Sequence, residues 1–337
     1  MKLLVTGGMG FIGANFIRYV RSKQPAWAVV NVDKLTYAGN PENLADLEEG
    51  GNYRFFRGDI ADYSFMEPIF QRGVDVVVNF AAESHVDRSI QDADPFVKSN
   101  IVGAQVLLEL ARRHAIKKFI QVSTDEVYGS LGAEGKFGED APLCPNSPYS
   151  ASKAAADLLC RSFFKTYGVP VIVTRGANNF GPYQFPEKFM ALIITNAVEE
   201  QAIPVYGDGL NVRDWIYVED HCRALEAVLL KGQAGEIYNI GADNELSNLD
   251  LVRQILNELN KPDAVIKFVQ DRPGHDRRYA VQSAKIKQLL RWRPVYSFRE
   301  ALKLTVNWYL AHPDWWKRVK SGSYRQYYQE WYGGLAK

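Results

Sequence analysis

Short apolar runs alternate with longer amphipathic stretches through the first half of this chain. Runs at Lys2–Thr6, Val29–Val32, Tyr53–Phe56, Val74–Asn79, Phe119–Ser123 and Val169–Thr174 have the length of buried strands. Between several of them apolar positions recur at helical spacing, as in Phe11–Arg21, Val102–His114 and Ser150–Tyr167. Strand–helix alternation predicts an α/β fold with a doubly wound parallel sheet and right-handed crossovers. After Thr174 the rhythm breaks up. Asn178-Asn179 and Gly181-Pro182 mark a loop, Lys188–Glu200 reads as a helix, and Trp215–Val218 as a strand. Asp250–Leu259 and Arg299–Leu310 are helical again, with Gly- and Pro-rich connectors between them. The expected organisation is a first domain over residues 1–178, with a return segment near 213–241, and a smaller, discontinuous mixed α/β domain over 179–337.

Composition narrows the function classes. A chain of 337 residues is long enough for two domains. With 40 basic and 39 acidic residues, bulk charge favours neither nucleic acid nor a membrane surface as partner. No apolar run approaches the ~18 residues of a membrane span, since Val74–Ala82 is interrupted by Asn79. The N-terminal run lacks a signal-peptide layout. Cys144, Cys160 and Cys222 form no C-x-x-C pair, and the five histidines do not cluster. The expectation is a cytoplasmic, metal-free protein.

The first strand runs into Thr6-Gly7-Gly8-Met9-Gly10-Phe11-Ile12-Gly13, and a helix begins inside that turn. Gly7, Gly10 and Gly13 let backbone N–H groups at a helix N-terminus approach a pyrophosphate, as in Rossmann-type dinucleotide sites. Asp33 ends the second strand, 20 residues beyond Gly13, where a carboxylate accepts from the adenosine ribose hydroxyls. It would repel a 2′-phosphate, so NAD is favoured over NADP, although Lys34 beside it weakens that preference. Asp59, after the third strand, is a candidate for the adenine end.

Tyr149 and Lys153 stand four apart, on one helical face. An ammonium close to a phenol lowers its pKa and makes it a usable base. A second Tyr-x-x-x-Lys, Tyr19 to Lys23, reads as a surface pair. Tyr149 differs by its position, after the fifth strand, whose end carries Ser123-Thr124-Asp125-Glu126-Val127-Tyr128-Gly129.

These features together resemble the extended short-chain dehydrogenase/reductase family. The Ser-Thr-Asp-Glu-Val-Tyr-Gly run is similar to that of its dTDP-glucose 4,6-dehydratase branch. So are Asp33–Asn40, Ala81–Ser89, Asn178–Tyr183, Arg213-Asp214-Trp215 and Asp271–Asp276. Phe180 and Ala177 depart from it, where tyrosine and serine are usual. The resemblance implies that Tyr149 removes the proton of a sugar 4-hydroxyl while hydride leaves C4 for NAD, with Thr124 holding the oxygen and Lys153 supporting Tyr149. Glu126 would then be the base at C5 and Asp125 the acid at the departing 6-hydroxyl, two carboxyls in opposite protonation states. It also implies a cofactor lining that adds Phe11, Ile12, Leu35, Thr36, Ile60, Phe80, Ala81, Ala82, Ser84, Ser99 and Asn179.

The second half is expected to hold the nucleotide diphosphate of the sugar. Arg213 and Arg272 suit the pyrophosphate, because a guanidinium gives directed bonds to phosphate. By resemblance, Ser84, Asn178, Lys188, Phe189, Pro204, Tyr206, Asn248, His275 and Tyr324 also line this site, with Tyr206 near the base, and the protein is a homodimer formed through a helix bundle. The aromatic tail from Trp315 to Tyr332 is expected to pack or to cover the cleft. The nucleobase stays open between dTDP and UDP. A 4-epimerase and a catalytically silent NAD-binding sensor are the competing readings; the first is disfavoured by Asp125 and Glu126, the second by the intact Tyr149 and Lys153.

Overall fold

The computed structural model describes residues 1–47 and 50–321. In its first half, strands β1 (Lys2–Thr6), β2 (Ala28–Asp33), β3 (Tyr53–Arg57), β4 (Val76–Asn79), β5 (Lys118–Thr124) and β6 (Val171–Gly176) alternate with helices. The helices are α1 (Phe11–Lys23), α2 (Tyr63–Gln71), α3 (Val86–Gln91), α4 (Asp94–Phe96), α5 (Gly103–Arg113) and α6 (Pro148–Tyr167). The second half adds β7 (Asn178–Phe180), β8 (Ile203–Tyr206), β9 (Val212–Tyr217), β10 (Ile237–Ile240), β11 (Glu245–Ser247) and β12 (Ile266–Val269). Its helices are α7 (Phe189–Val198), α8 (Val218–Lys231), α9 (Asn248–Glu258), α10 (Ala284–Leu289), α11 (Phe298–Ala311) and α12 (Pro313–Val319).

Seven strands form one parallel sheet in the order β10-β6-β5-β4-β1-β2-β3. Period-two alternation divides its side chains between two buried clusters. Leu3, Val5, Val76, Val78, Ile120 and Val122 belong to one face, and Leu4, Val77, Phe119, Val171 and Val173 to the other. Both faces are covered by helices, which is why these strands read as unbroken apolar runs. One polar ladder crosses the buried centre: Thr6 Oγ1 donates to Asn79 Oδ1 at 2.6 Å, and Asn79 Nδ2 donates to Gln121 Oε1 at 2.8 Å. It ties β1, β4 and β5 together near their carboxyl ends. The strand order reverses between β1 and β4, so a crevice opens outside those ends.

A three-stranded sheet, β11-β9-β7, and a two-stranded one, β12-β8, make up the rest. The strands expected in the first half are present to within a few residues. Asn178–Phe180, expected as a loop, is instead the short strand β7, paired in parallel with β9. The long helix expected from Val102 is entered through a π-helical stretch, Val97–Val102. The Tyr19–Lys23 pair is also corrected: Tyr19 Oη donates to Glu226 Oε2 at 2.6 Å across the α1–α8 contact, so the tyrosine is half-buried and committed to another helix.

Phe119 is fully buried near the start of β5. Phe119→Ala should cost about 3–5 kcal/mol, seen as a lower denaturant midpoint with the slope unchanged.

Candidate active site

Gly7 begins the turn after β1 with φ +72°, and a Cβ there would lie 2.6 Å from the Ala81 backbone nitrogen. At Gly13 a Cβ would meet the Gly7 carbonyl at 2.3 Å. Any side chain at either position would push β1, α1 and the β4 loop apart. At Gly10 only the Gly7 carbonyl lies near, at 3.4 Å, so that backbone faces open space. Gly10 is also the N-cap of α1 and supplies no side-chain cap. The first N–H groups of α1 thus point into the crevice, a ready anion site.

Asp33 accepts from Met9 N at 2.9 Å through Oδ2 and from Leu35 N at 2.8 Å through Oδ1. Burial pushes its pKa up, and these backbone donors pull it back. Lys34 is paired with Asp59 at 2.8 Å, so its charge is already neutralised. Gly7, Gly10, Phe11, Ile12, Gly13, Asp33, Lys34, Thr36, Asp59, Ile60, Phe80, Ala81, Ala82, Ser84 and Ser99 line one continuous cavity. Thr124, Asp125, Glu126, Tyr149, Lys153, Asn178, Asn179 and Lys188 line its other end. Leu35 is not part of this lining; its side chain packs against the apolar core.

The chain bends where β5 ends. Asp125–Tyr128 form a single 3₁₀ turn, closed by Gly129 at φ +81°. In an extended strand Asp125 and Glu126 would face opposite ways; the turn brings both to the cavity. Thr124 Oγ1 accepts from Glu126 N at 3.2 Å and donates to Asp125 Oδ1 at 3.1 Å. Asp125 Oδ2 has no hydrogen-bond partner among the described residues. Burial, then the neighbouring Glu126 charge, pushes Asp125 up to about 8. Burial also pushes Glu126 up, but Arg272, Arg213 and Lys188 counter it. Asp125 therefore keeps its proton at neutral pH, and the cations favour the charge on Glu126.

α6 is started by Ser147 and Ser150 in a reciprocal cap, with Pro148 at its first position. That fixes Tyr149 and Lys153 over the cavity. Here the expected electrostatics need correction. The Lys153 ammonium donates to the Val122 carbonyl at 2.7 Å, and burial lowers it to about 8. Tyr149 is raised, first by burial and then by Glu126 and Asp125, with Thr124 pulling the other way. Burial and the acid pair beside it, more than its spacing from Lys153, set the state of this phenol.

Seven of the expected substrate residues stand outside this lining. Arg213 on β9 lies over the Tyr279 ring at 4.3 Å, and Arg272 pairs with Asp87 at 2.9 Å. Tyr206 donates to the other Asp87 oxygen at 3.2 Å, and the His275 ring meets it edge-on at 5.9 Å. Pro204 lies on β8, Phe189 opens α7, and Asn248 opens α9. Tyr324 and the tail beyond Ser321 lie outside the described residues. Lys188 Nζ donates to the Ser84 carbonyl at 2.7 Å and so reaches across to the β4 loop.

The family described as GDP-mannose 4,6 dehydratase matches residues 4–305. The chain belongs to that family. Within it, a dTDP-glucose 4,6-dehydratase of Xanthomonas campestris pv. campestris (strain B100) is 49% identical over 341 residues, covering 96% of this chain and 97% of that protein. The crystal structure of DesIV, a dTDP-glucose 4,6-dehydratase from Streptomyces venezuelae solved with NAD bound, is similar at a TM-score of 0.93 and 47% identity, covering 95% of this chain and all (100%) of that one. A UDP-glucuronic acid 4-epimerase from Bacillus cereus shares the fold at a TM-score of 0.86 and 30% identity, covering 92% and 99%.

Two residues beside the site of this family member escaped the sequence reading. Asn100 accepts from Glu83 N at 2.9 Å and donates to the Glu83 carbonyl and to Ser152 Oγ, tying the β4 loop to α6. Asp87 holds both Arg272 and Tyr206. Each is a buried polar residue on a helical stretch, and that mismatch was the available signal.

Asp125 gives a stability test. The folded protein keeps this proton at pH values where the unfolded chain has released it. Stability therefore falls as pH rises from the ordinary carboxyl range toward 8. Asp125→Asn should be more stable than wild type by several kcal/mol at pH 8 and indistinguishable near pH 4, measured by denaturant midpoints at both values.

Proposed function

We propose that this protein is a dTDP-glucose 4,6-dehydratase: an NAD-dependent hydro-lyase that forms dTDP-4-keto-6-deoxyglucose by C4 oxidation, loss of water across C5 and C6, and hydride return to C6. The observation that carries this reading is the buried Asp125–Glu126 pair, split in protonation, on a turn facing Tyr149 and Lys153. An epimerase on the same fold needs only the first oxidation and its reversal, and has no use for a second acid and base.

NAD, when bound, accepts the C4 hydride and later supplies it to C6. The uncapped N-terminus of α1 at Gly10 suits the pyrophosphate. Asp33 suits the ribose hydroxyls, and since Lys34 is committed to Asp59, a 2′-phosphate would meet carboxylates without a free cation. Tyr149 takes the proton of the sugar 4-hydroxyl, Thr124 holds that oxygen, and the Lys153 charge supports the phenolate that develops. The 4-ketone acidifies the C5 hydrogen. Glu126, held ionised by Arg213, Arg272 and Lys188, removes it, and Asp125 gives its proton to the 6-hydroxyl as water departs. Arg213, Arg272 and Lys188 also provide the charge for the diphosphate, with Tyr206 and His275 toward the base and Asn178, Phe189, Pro204 and Asn248 shaping the pocket. Residues 1–178 serve the cofactor and the later segments the nucleotide sugar.

We assign the enzyme to the cytoplasm, which suits its free cysteines, Cys144, Cys160 and Cys222. Among the described residues no helix is long and apolar enough to cross a membrane. A homodimer through α5 and α6 accords with the exposed Val102, Leu158 and Tyr167 on and beside these helices.

Because the hydride returns within one turnover, product should form from dTDP-glucose without stoichiometric NAD and without net NADH. Product analysis after separate incubations with dTDP-glucose and UDP-glucose, with absorbance at 340 nm followed throughout, tests the activity and the nucleobase together. Steady NADH accumulation equal to product would make the enzyme a simple dehydrogenase.

Glu126 can be tested by isotope. Turnover in heavy water should place one deuterium at C5, while the new methyl group carries the hydrogen that began on C4. Glu126→Gln should still oxidise C4 in a single turnover but lose C5 exchange and product. Retention of the original C5 hydrogen in the wild-type product would remove Glu126 from its role.

A further inference from the structure

Beneath the reacting groups lies a run of buried polar side chains that the chemistry above does not use. Arg175 on β6 stands opposite Ser123 of β5 and is 3% exposed. Its Nε donates to Asp157 Oδ2 at 2.9 Å, and its Nη1 donates to Tyr128 Oη at 2.9 Å and to the Glu139 carbonyl at 3.3 Å. The guanidinium lies 4.7 Å from the Tyr128 ring centroid, and that ring stacks on Phe137 at 4.9 Å. Tyr128 Oη in turn donates to Asn239 Oδ1 on β10 at 2.8 Å.

The two partners of Arg175 belong to different halves of the machinery. Tyr128 closes the turn that carries Asp125 and Glu126. Asp157 lies on α6, four residues beyond Lys153 and eight beyond Tyr149, and so on their face of the helix. A buried ion pair is a poor way to gain stability, because apolar side chains of similar volume fill such space as well or better. Packing alone therefore does not account for this one.

We propose that Arg175 and Asp157 are positioning residues: one guanidinium fixes the acid–base turn against the tyrosine–lysine helix, and the Asp157 carboxylate, one turn along that helix, supports the charge of Lys153. The inference deepens the 4,6-dehydratase reading and rests on it for its rate measurements. Lys153 faces Asp157 and Cys160 from its own helix and the Val122 carbonyl from β5. Asp157 faces Arg175 from β6, Ser123 from β5, and Lys153 on α6. Burial drives Lys153 down, and Asp157 opposes it. Loss of that carboxylate leaves the lysine to deprotonate at lower pH, and a step that needs the ammonium then fails earlier on the alkaline side.

The test uses Asp157→Asn, Asp157→Glu and Arg175→Lys in the full-length protein. In Asp157→Asn, the Lys153 titration midpoint, followed by NMR of protein labelled at the lysine ε-carbon, should fall by about one pH unit. The alkaline limb of single-turnover C4 oxidation should fall with it, while KM stays within about twofold. Asp157→Glu, which keeps the charge, should restore the midpoint. Arg175→Lys keeps a cation but cannot fork to two partners. It should leave the alkaline limb in place and slow C5 exchange relative to C4 oxidation by about tenfold. Variants that melt earlier but keep the wild-type Lys153 midpoint and the wild-type ratio of the two steps would reduce the pair to a structural role and overturn the proposal. A wild-type protein inactive on both nucleotide glucoses would sink the dehydratase reading instead, and the Lys153 midpoint in Asp157→Asn would still decide the electrostatic claim.

Discussion

Two carboxyl groups on consecutive residues, Asp125 buried and Glu126 partly buried at the cavity, repel each other and are each costly to ionise. One of them must stay charged for the chemistry, and much of the molecule around Asp125 and Glu126 is arranged to make that so. The proton rests on Asp125 because burial, and then the Glu126 charge beside it, raise its pKa. The charge rests on Glu126 because Arg272, Arg213 and Lys188 surround it. None of these three cations comes from the five strands that precede the turn. They are delivered by the second half of the chain, so the parallel sheet alone cannot prepare the site.

Those cations need placing in turn, and for Arg272 and Lys188 the groups that place them come from the first half, while Arg213 is held by the Val212 and Asp276 carbonyls. Asp87, after β4, holds Arg272 and Tyr206, and the Ser84 carbonyl receives Lys188. The loop that leads to Lys188 is braced from the far end of the chain: Tyr309 Oη donates to the Gln184 carbonyl, and Tyr183 packs against Trp308 and Trp315. The two halves are thus interlocked by charge at the cleft and by aromatic packing behind it. Such mutual support is what preorganisation requires, since a donor held by protein need not reorganise as charge moves.

Much of this was legible in the sequence, for identifiable reasons. The strands of the large sheet are buried on both faces and announce themselves as apolar runs. Gly7, Gly10 and Gly13 mark backbone approach, and the bend at Asp125 follows from two acids needing one destination with Gly129 close behind. The short strands were not legible. β7 has three residues, Asn178–Phe180, of a kind that reads as turn, and only its distant partner β9 makes it a strand. The state of Tyr149 was misjudged for a similar reason. Spacing on a helix shows that Lys153 is near, but not that its ammonium is directed to Val122, nor that Asp125 and Glu126 press harder on the phenol. Asp87 and Asn100 act through contacts made across 185 and 52 positions of sequence, which no local pattern contains.

The pressure on Tyr149 also bears on the order of events. A phenol raised by two nearby carboxyls is a reluctant base while both are charged, and a better one when Asp125 keeps its proton. On the proposed roles, the state that lets Tyr149 begin the oxidation is therefore the same state that leaves Asp125 ready to protonate the leaving hydroxyl. One buried proton serves both steps without being moved between them. The fold is shared with a 4-epimerase at 30% identity, so the sheet and the tyrosine–lysine helix do not choose the reaction. On the proposed roles the choice lies in the turn after β5, with its second acid and base, and in the second half's cations, three of which act on Glu126 and only Arg213 on Asp125.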